Sequence, residues 1–111
     1  YYEPWGYTPL EAGALGVSSV TTDLAGFGRY FCAECMQADT PGIYVLKRLS
    51  KSDDDVVSQL VDVMFRFANF SKEERTANKL QARKVASMAD WKIFVKNYIT
   101  AHDLAVEKVY R

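Results

Sequence analysis

The chain has 111 residues, enough for one domain and too few for two. Its 14 acidic and 14 basic side chains cancel, which excludes a global field that would draw in nucleic acid or an anionic membrane. With 49% hydrophobic residues it should fold, and no apolar run approaches the roughly 20 residues needed to span a bilayer.

The first segment is the most informative: Tyr1-Tyr2-Glu3-Pro4-Trp5-Gly6-Tyr7-Thr8-Pro9-Leu10-Glu11. Two glutamates, Glu3 and Glu11, flank a turn that runs into a helix start. Thr8 suits an N-cap, Pro9 the first helical position and Glu11 the third, which together read as a capping box. The free N–H groups and positive dipole end of that helix favour an anion in front of Gly6 and Tyr7, most usefully a phosphate. No secretory leader is visible. Tyr1 falls inside a motif with no preceding methionine, so the start reads as a cut within a longer chain.

The spacing predicts a helix over 9–15 that stops at Gly16. Residues 17–22, Val-Ser-Ser-Val-Thr-Thr, are β-branched and predict a short buried strand. Residues 23–28 follow as a glycine-punctuated loop, the kind of loop after a strand that holds ligands in open α/β sheets. Residues 29–41 read as irregular, with Phe27, Tyr30 and Phe31 as loop packing and Pro41-Gly42 as a turn. Residues 43–46, Ile-Tyr-Val-Leu, predict a second short strand.

Cys32 and Cys35 form a Cys-x-x-Cys with three readings. A redox pair would need a thioredoxin-like βαβ setting. A zinc site would need about two more ligands, and the sole histidine, His102, is far along the chain. The plain reading is two reduced thiols in a loop or short helix.

From Ser52 the hydrophobic period becomes helical. Val56, Val57, Leu60, Val61, Met64, Phe65 and Ala68 predict one apolar face, and Ser52 with the aspartates at 53–55 caps and charges the helix start. Ser71-Lys72-Glu73-Glu74 is a second capping box, opening a mostly polar helix. On it Arg75, Lys79 and Arg83 are spaced to share one face, with Lys84 adjacent. Asp90 precedes a long amphipathic helix. Its stripe of Trp91, Phe94, Val95, Tyr98, Ile99, His102, Ala105, Val106 and Val109 reads as core, with His102 packed and hydrogen-bonded rather than acting as a base. Asn69-Phe70-Ser71 matches a glycosylation pattern at a helix junction and reads as chance. Two short strands followed by three helices cannot make an independent doubly wound sheet, so the pattern looks like the end of a larger α/β domain.

Taken together, the motif from Tyr1 to Glu11 and the run Gly16-Val17, Ser19-Val20-Thr21-Thr22-Asp23-Leu24 and Gly26-Phe27-Gly28 resemble the eukaryotic-type glycogen synthases. Similarity continues through Gly42–Val45, Leu60–Asp62, Asp90-Trp91 and Ala101 to Ala105. Trp5 and Tyr7 point away from bacterial-type, ADP-glucose-using synthases, which carry a related Glu-Pro-Cys-Gly-Leu pattern. The resemblance implies a GT-B architecture, with residues 1–50 ending the nucleotide-sugar-binding Rossmann-like domain and 51–111 forming C-terminal helices on it. It implies transfer of glucose from UDP-glucose to the non-reducing end of an α-1,4-glucan with retention, in the cytoplasm, with no metal or other cofactor. The expected partners are the nucleotide-sugar donor, the glycogen acceptor and a further copy of the protein, and neither nucleic acid nor membrane.

By the same resemblance Glu3 falls near the donor glucose, backbone groups of Trp5, Gly6, Tyr7 and Thr8 contact the sugar and diphosphate, and Glu11 contacts the ribose. Members regulated by sugar phosphate carry an arginine-rich helix where Arg75, Lys79, Arg83 and Lys84 stand. The cluster here is thinner, and a solvated face is the plainer reading, since lysine lacks arginine's planar fork. The facing Rossmann domain lies outside these residues, so no transfer is expected of them alone. Two other functions fit the residues: a helical interaction module that buries its apolar faces against a partner, and a related GT-B enzyme using another nucleotide sugar.

Overall fold

The computed structural model describes residues 3–35 and 39–110, with the backbone alone for 32–35. In chain order the elements are α1 (Tyr7–Ala14), β1 (Ser19–Thr22), α2 (Gly26–Cys35), β2 (Ile43–Leu46), α3 (Asp53–Ala68), α4 (Lys72–Met88) and α5 (Trp91–Tyr110). The class is α/β. β1 and β2 pair in parallel with Ser19 opposite Ile43 and Thr22 opposite Leu46, and α2 supplies the crossover. Three helices follow the second strand, as the periodicity predicts. No helix of the described residues is long and apolar enough to cross a membrane.

The crossover corrects the sequence reading, which has 23–28 as a loop and 29–41 as irregular. Helix α2 begins at Gly26 and carries Phe27 and Phe31 one turn apart into the core, so these rings are helical core rather than loop packing. Its glycines mark close approach. A Cβ on Gly28 would collide with the Thr22 carbonyl, so the glycine lets the helix start lie directly over the end of β1.

The core lies between β2, α2 and α4 and joins Phe27, Phe31, Ile43, Ala82, Val85 and Ala89, with Trp5, Leu10, Met88 and Phe94 packed on it. Every residue of β2 is buried. β1 is only half-buried, with Val20 turned outward, which corrects the expected buried strand. Close backbone contact again decides the packing. A Cβ on Gly42 would overlap the α4 backbone at Ala82, and one on Gly13 would stand 3.0 Å from the Ala82 carbonyl and the Ile43 side chain. Asn78, fully buried on α4, accepts at one oxygen from the Gly42 N–H (3.1 Å) and the Tyr44 hydroxyl (2.8 Å) and donates to the Glu74 carbonyl (3.1 Å).

Both capping boxes downstream form. Ser52 Oγ accepts from the Asp55 N–H while Asp55 accepts from the Ser52 N–H. Ser71 and Glu74 repeat the exchange at the start of α4. Each removes two orphan helix donors, which is why these two starts are sharp.

The apolar faces differ from expectation. On α3 the side turned inward is Val56, Leu60, Val63 and Phe67, while Val57, Val61, Met64 and Phe65 are exposed. The helix therefore has two apolar faces, and the sheet takes one of them. On α5 no residue is fully buried. Phe94 and Val95 are partly covered, and every residue from 96 to 110 is exposed, His102 among them. The helical periodicity holds, but the stripe is not core. A helix buries a face only where a second layer stands opposite, and the described elements end near the first turns of α5.

Candidate functional site

The predicted motif sits at the carboxyl end of the parallel strands. α1 precedes β1 and runs antiparallel to it, so its N-terminus and the residues before it lie where β1 and β2 end. Helix α1 starts two residues earlier than the sequence predicts, at Tyr7, with Gly6 as N-cap at φ 93°, ψ 85°. That left-handed conformation suits glycine and strains any residue with a Cβ. No side chain caps the helix, which overturns the Thr8–Glu11 capping box. With the cap at Gly6, Thr8 and Pro9 already lie inside the first turn, and Glu11 sits beyond it, too far along to reach back. The consequence favours ligand binding, because neither the dipole end nor the Glu11 carboxylate is consumed within the helix.

Glu3 is exposed, and its side chain folds back over the turn. Its carboxyl carbon and Oε2 each lie 3.7 Å from where a Cβ on Gly6 would stand. One carboxylate thus covers the buried Gly6 at the positive end of the helix.

Helix α2 holds this turn in place. The N–H groups of Gly26 and Phe27, at its N-terminus, donate to the carbonyls of Pro4 (3.1 Å) and Trp5 (2.8 Å). A helix start normally leaves such donors orphaned, and here the motif loop takes two of them. Gly26 permits the contact, since a Cβ there would stand 2.6 Å from the Pro4 oxygen. The Trp5 ring turns away from the turn and packs edge-on against Phe27 (5.9 Å between centroids) and Phe94 (5.5 Å), with Tyr30 at 6.2 Å. The indole therefore anchors the loop to α2 and α5. On the α5 side of the anchor, Trp5, Tyr7, Trp91, Phe94, Asn97 and Tyr98 line an apolar groove of about 570 Å³ that excludes Glu3 and Gly6.

Asp23 ties the two strand ends together, and sequence reasoning missed it. Its Oδ1 accepts from the N–H groups of Arg48 (2.7 Å) and Leu49 (2.9 Å), its own N–H donates to the Leu46 carbonyl (3.1 Å), and its carbonyl accepts from Arg29 Nε (2.9 Å). Burial alone would raise the Asp23 carboxyl. The two amides and the Lys47 charge outweigh it and hold the group below the ordinary carboxylate range. The available signal was an aspartate directly after a β-branched strand and three residues before a glycine.

The basic side chains of α4 stand in different surroundings. Arg75 donates to the Phe70 (3.1 Å) and Ala68 (3.0 Å) carbonyls and stacks over the Phe67 ring at 5.4 Å, closing the end of α3. Arg83 lays its stem against Gly16, just past the end of α1, its Cδ 3.3 Å from where a Cβ on Gly16 would stand. Lys79 and Lys84 are exposed. Two of the four side chains thus serve different neighbours. Among the described residues no three His, Cys, Asp or Glu side chains group as metal ligands. Tyr1, Tyr2 and the side chains of Cys32 and Cys35 lie outside what is described.

Comparison with known proteins agrees along the whole length. The family model described as glycogen synthase matches residues 1–111. The chain is 40% identical over 110 residues to the glycogen [starch] synthase of Neurospora crassa and 39% identical over 112 residues to isoform 1 from Saccharomyces cerevisiae. It is 33% identical over 110 residues to the human liver glycogen [starch] synthase. Each match covers 99% of this chain but only 16% of the relative. With this match from end to end, the chain belongs to the glycogen synthase family.

Proposed function

We propose that this chain is the donor-side segment of a cytoplasmic glycogen synthase of GT-B architecture. The full-length enzyme transfers glucose from UDP-glucose to the non-reducing end of an α-1,4-glucan, with retention. Residues 1–50 close the nucleotide-sugar-binding domain and 51–111 are helices packed on it. The observation that carries the reading is the uncapped start of α1 beneath the Glu3 carboxylate, at the carboxyl end of two parallel strands.

The chemistry follows from charge. As the glycosidic bond breaks, the diphosphate gains negative charge, and N–H groups and a helix dipole already aimed at it stabilise the transition state more than the ground state. Gly6 lets the phosphates approach the backbone. Backbone groups of Trp5, Tyr7 and Thr8 complete that contact, while the Trp5 ring fixes the loop. Glu3 binds sugar hydroxyls and offsets positive charge developing on the glucosyl carbon. Glu11, unspent in capping, accepts from the ribose hydroxyls. The mechanism calls for no metal or cofactor beyond the donor.

Titration of the full-length protein with UDP tests the assignment. Glu11→Ala is expected to weaken UDP about tenfold, the loss of one or two hydrogen bonds to a charged acceptor. Glu3→Gln is expected to lower kcat with little change in UDP affinity. Preference for ADP-glucose over UDP-glucose in direct competition would reject this donor, and unchanged UDP binding by Glu11→Ala would reject the site.

A further inference from the structure

We infer that Asp23 is a positioning residue for the donor loop, acting through the backbone of the first turn of α2. Four steps link it to Glu3 and Gly6. The residue is nine-tenths buried, and its carboxylate grips the Arg48 and Leu49 amides through one oxygen. The Asp23 N–H and carbonyl are taken by Leu46 and Arg29, so the residue is held on every polar side of its backbone. The turn of residues 23–25 therefore leaves β1 in one direction only, and α2 begins at Gly26. The first two amides of α2 then hold Pro4 and Trp5, the residues between Glu3 and Gly6.

The motif loop is tied to α2 by two backbone hydrogen bonds. Its side-chain anchor, the Trp5 ring, packs mostly on α2 and α5 rather than on a strand. The placement of α2 relative to the strand ends is thus passed on to the Glu3 carboxylate. On the far side the same carboxylate fixes the segment after β2, where Ser50 adopts φ 60° and Arg48 pairs with Asp53 at the start of α3. A single acceptor oxygen joins the two strand-end segments that flank the site. An amide oxygen at that place would accept the same two bonds, whereas a methyl group would accept neither.

Hydrogen exchange and kinetics of the full-length protein test the inference together. Asp23→Ala is expected to speed exchange of the Gly26 and Phe27 amides, and to raise the KM for UDP-glucose about tenfold with the acceptor KM unchanged. Asp23→Asn is expected to restore both to within about threefold. If Asp23→Ala does not fold, Asp23→Glu, which keeps the charge but moves the oxygen by a methylene, carries the same expectation. Unchanged protection at Gly26 and Phe27 would overturn the inference whatever the donor, as would an Asn variant as impaired as the Ala variant. The kinetic arm rests on the proposed donor site and the exchange arm does not. Lost protection in a protein indifferent to UDP-glucose would therefore reject the donor and keep the positioning role.

Discussion

The Gly26 amide donates to the Pro4 carbonyl at 3.1 Å, and the same oxygen stands 2.6 Å from where a methyl group on Gly26 would project. The hydrogen bond that docks the motif loop and the steric limit that demands glycine are one contact. Gly26→Ala must push Pro4 away or tilt α2, because the obstacle is backbone rather than a flexible side-chain tip. We expect a loss of about 1–3 kcal/mol in stability from overpacking. We also expect UDP to bind the full-length protein at least about tenfold more weakly, since small displacements of positioning groups are costly. Calorimetric titration checks the second figure, and wild-type affinity in a folded Gly26→Ala protein would refute it.

Asn78 offers the clearest stability test. Replacing it with Leu leaves the Gly42 N–H and the Tyr44 hydroxyl without their acceptor in a fully buried site. Each orphaned group costs about 1–3 kcal/mol, so a loss of about 2–6 kcal/mol is expected. Thermal unfolding of variant and parent side by side measures it. A loss no larger than that of an exposed Lys79→Ala control would show that the knot contributes little.

Tyr44 and Asp23 set opposite pH limits. Burial raises the Tyr44 phenol, against the Arg66 charge and the Asn78 hydrogen bond. Its contribution is fully present below the unfolded value of about 10 and is lost as pH rises through the folded value. Asp23 is held below the ordinary range, so its contribution is present above about pH 4 and is lost as pH falls through the lower folded value. Tyr44→Phe should therefore flatten the alkaline fall in Tm and leave the acid limb alone. Asp23→Asn should do the reverse. The pair of pH–Tm profiles is the check, and a shared change in both limbs would contradict it.

Arg75 closes the end of α3 through two carbonyls and the Phe67 ring, so its removal should act on stability rather than on regulation. Arg75→Ala is expected to lower stability by about 1–2 kcal/mol. The response of the full-length enzyme to glucose 6-phosphate should be unchanged in Arg75→Ala and in Arg83→Ala. A response present in the parent and abolished in either variant would restore the allosteric reading of this helix.

The elements most legible from sequence were those specified locally. Ser52 with Asp55 and Ser71 with Glu74 announce their helices because both halves of each box lie within four residues. The strand at 43–46 was equally plain, a short apolar run after Pro41-Gly42. Helix α2 was not legible, because Gly26 and Gly28 read as loop residues until Pro4 and Thr22 are seen pressed against them. The capping box at Thr8 failed for a related reason. Local preference favoured it, but the docking of Pro4 and Trp5 on α2 accompanies a helix that starts at Tyr7 with Gly6 as its cap. Periodicity located the apolar stripes of α3 and α5 but carried no information on which stripe faces a second layer. The candidate site was legible as a motif, while its supports, Asp23 and the first amides of α2, are long-range and were not.

The knot at Asn78 has a consequence for assembly. Gly42, just before β2, and Tyr44, on it, are both read by a single oxygen on a helix. A slip of β2 by one residue would turn the Tyr44 hydroxyl to the opposite face and forfeit both bonds at once. The alignment of β2 is thus dictated from α4, outside the sheet, rather than negotiated with a neighbouring strand. A strand so placed can act as a ruler, because any strand that adds beside it finds the register already chosen.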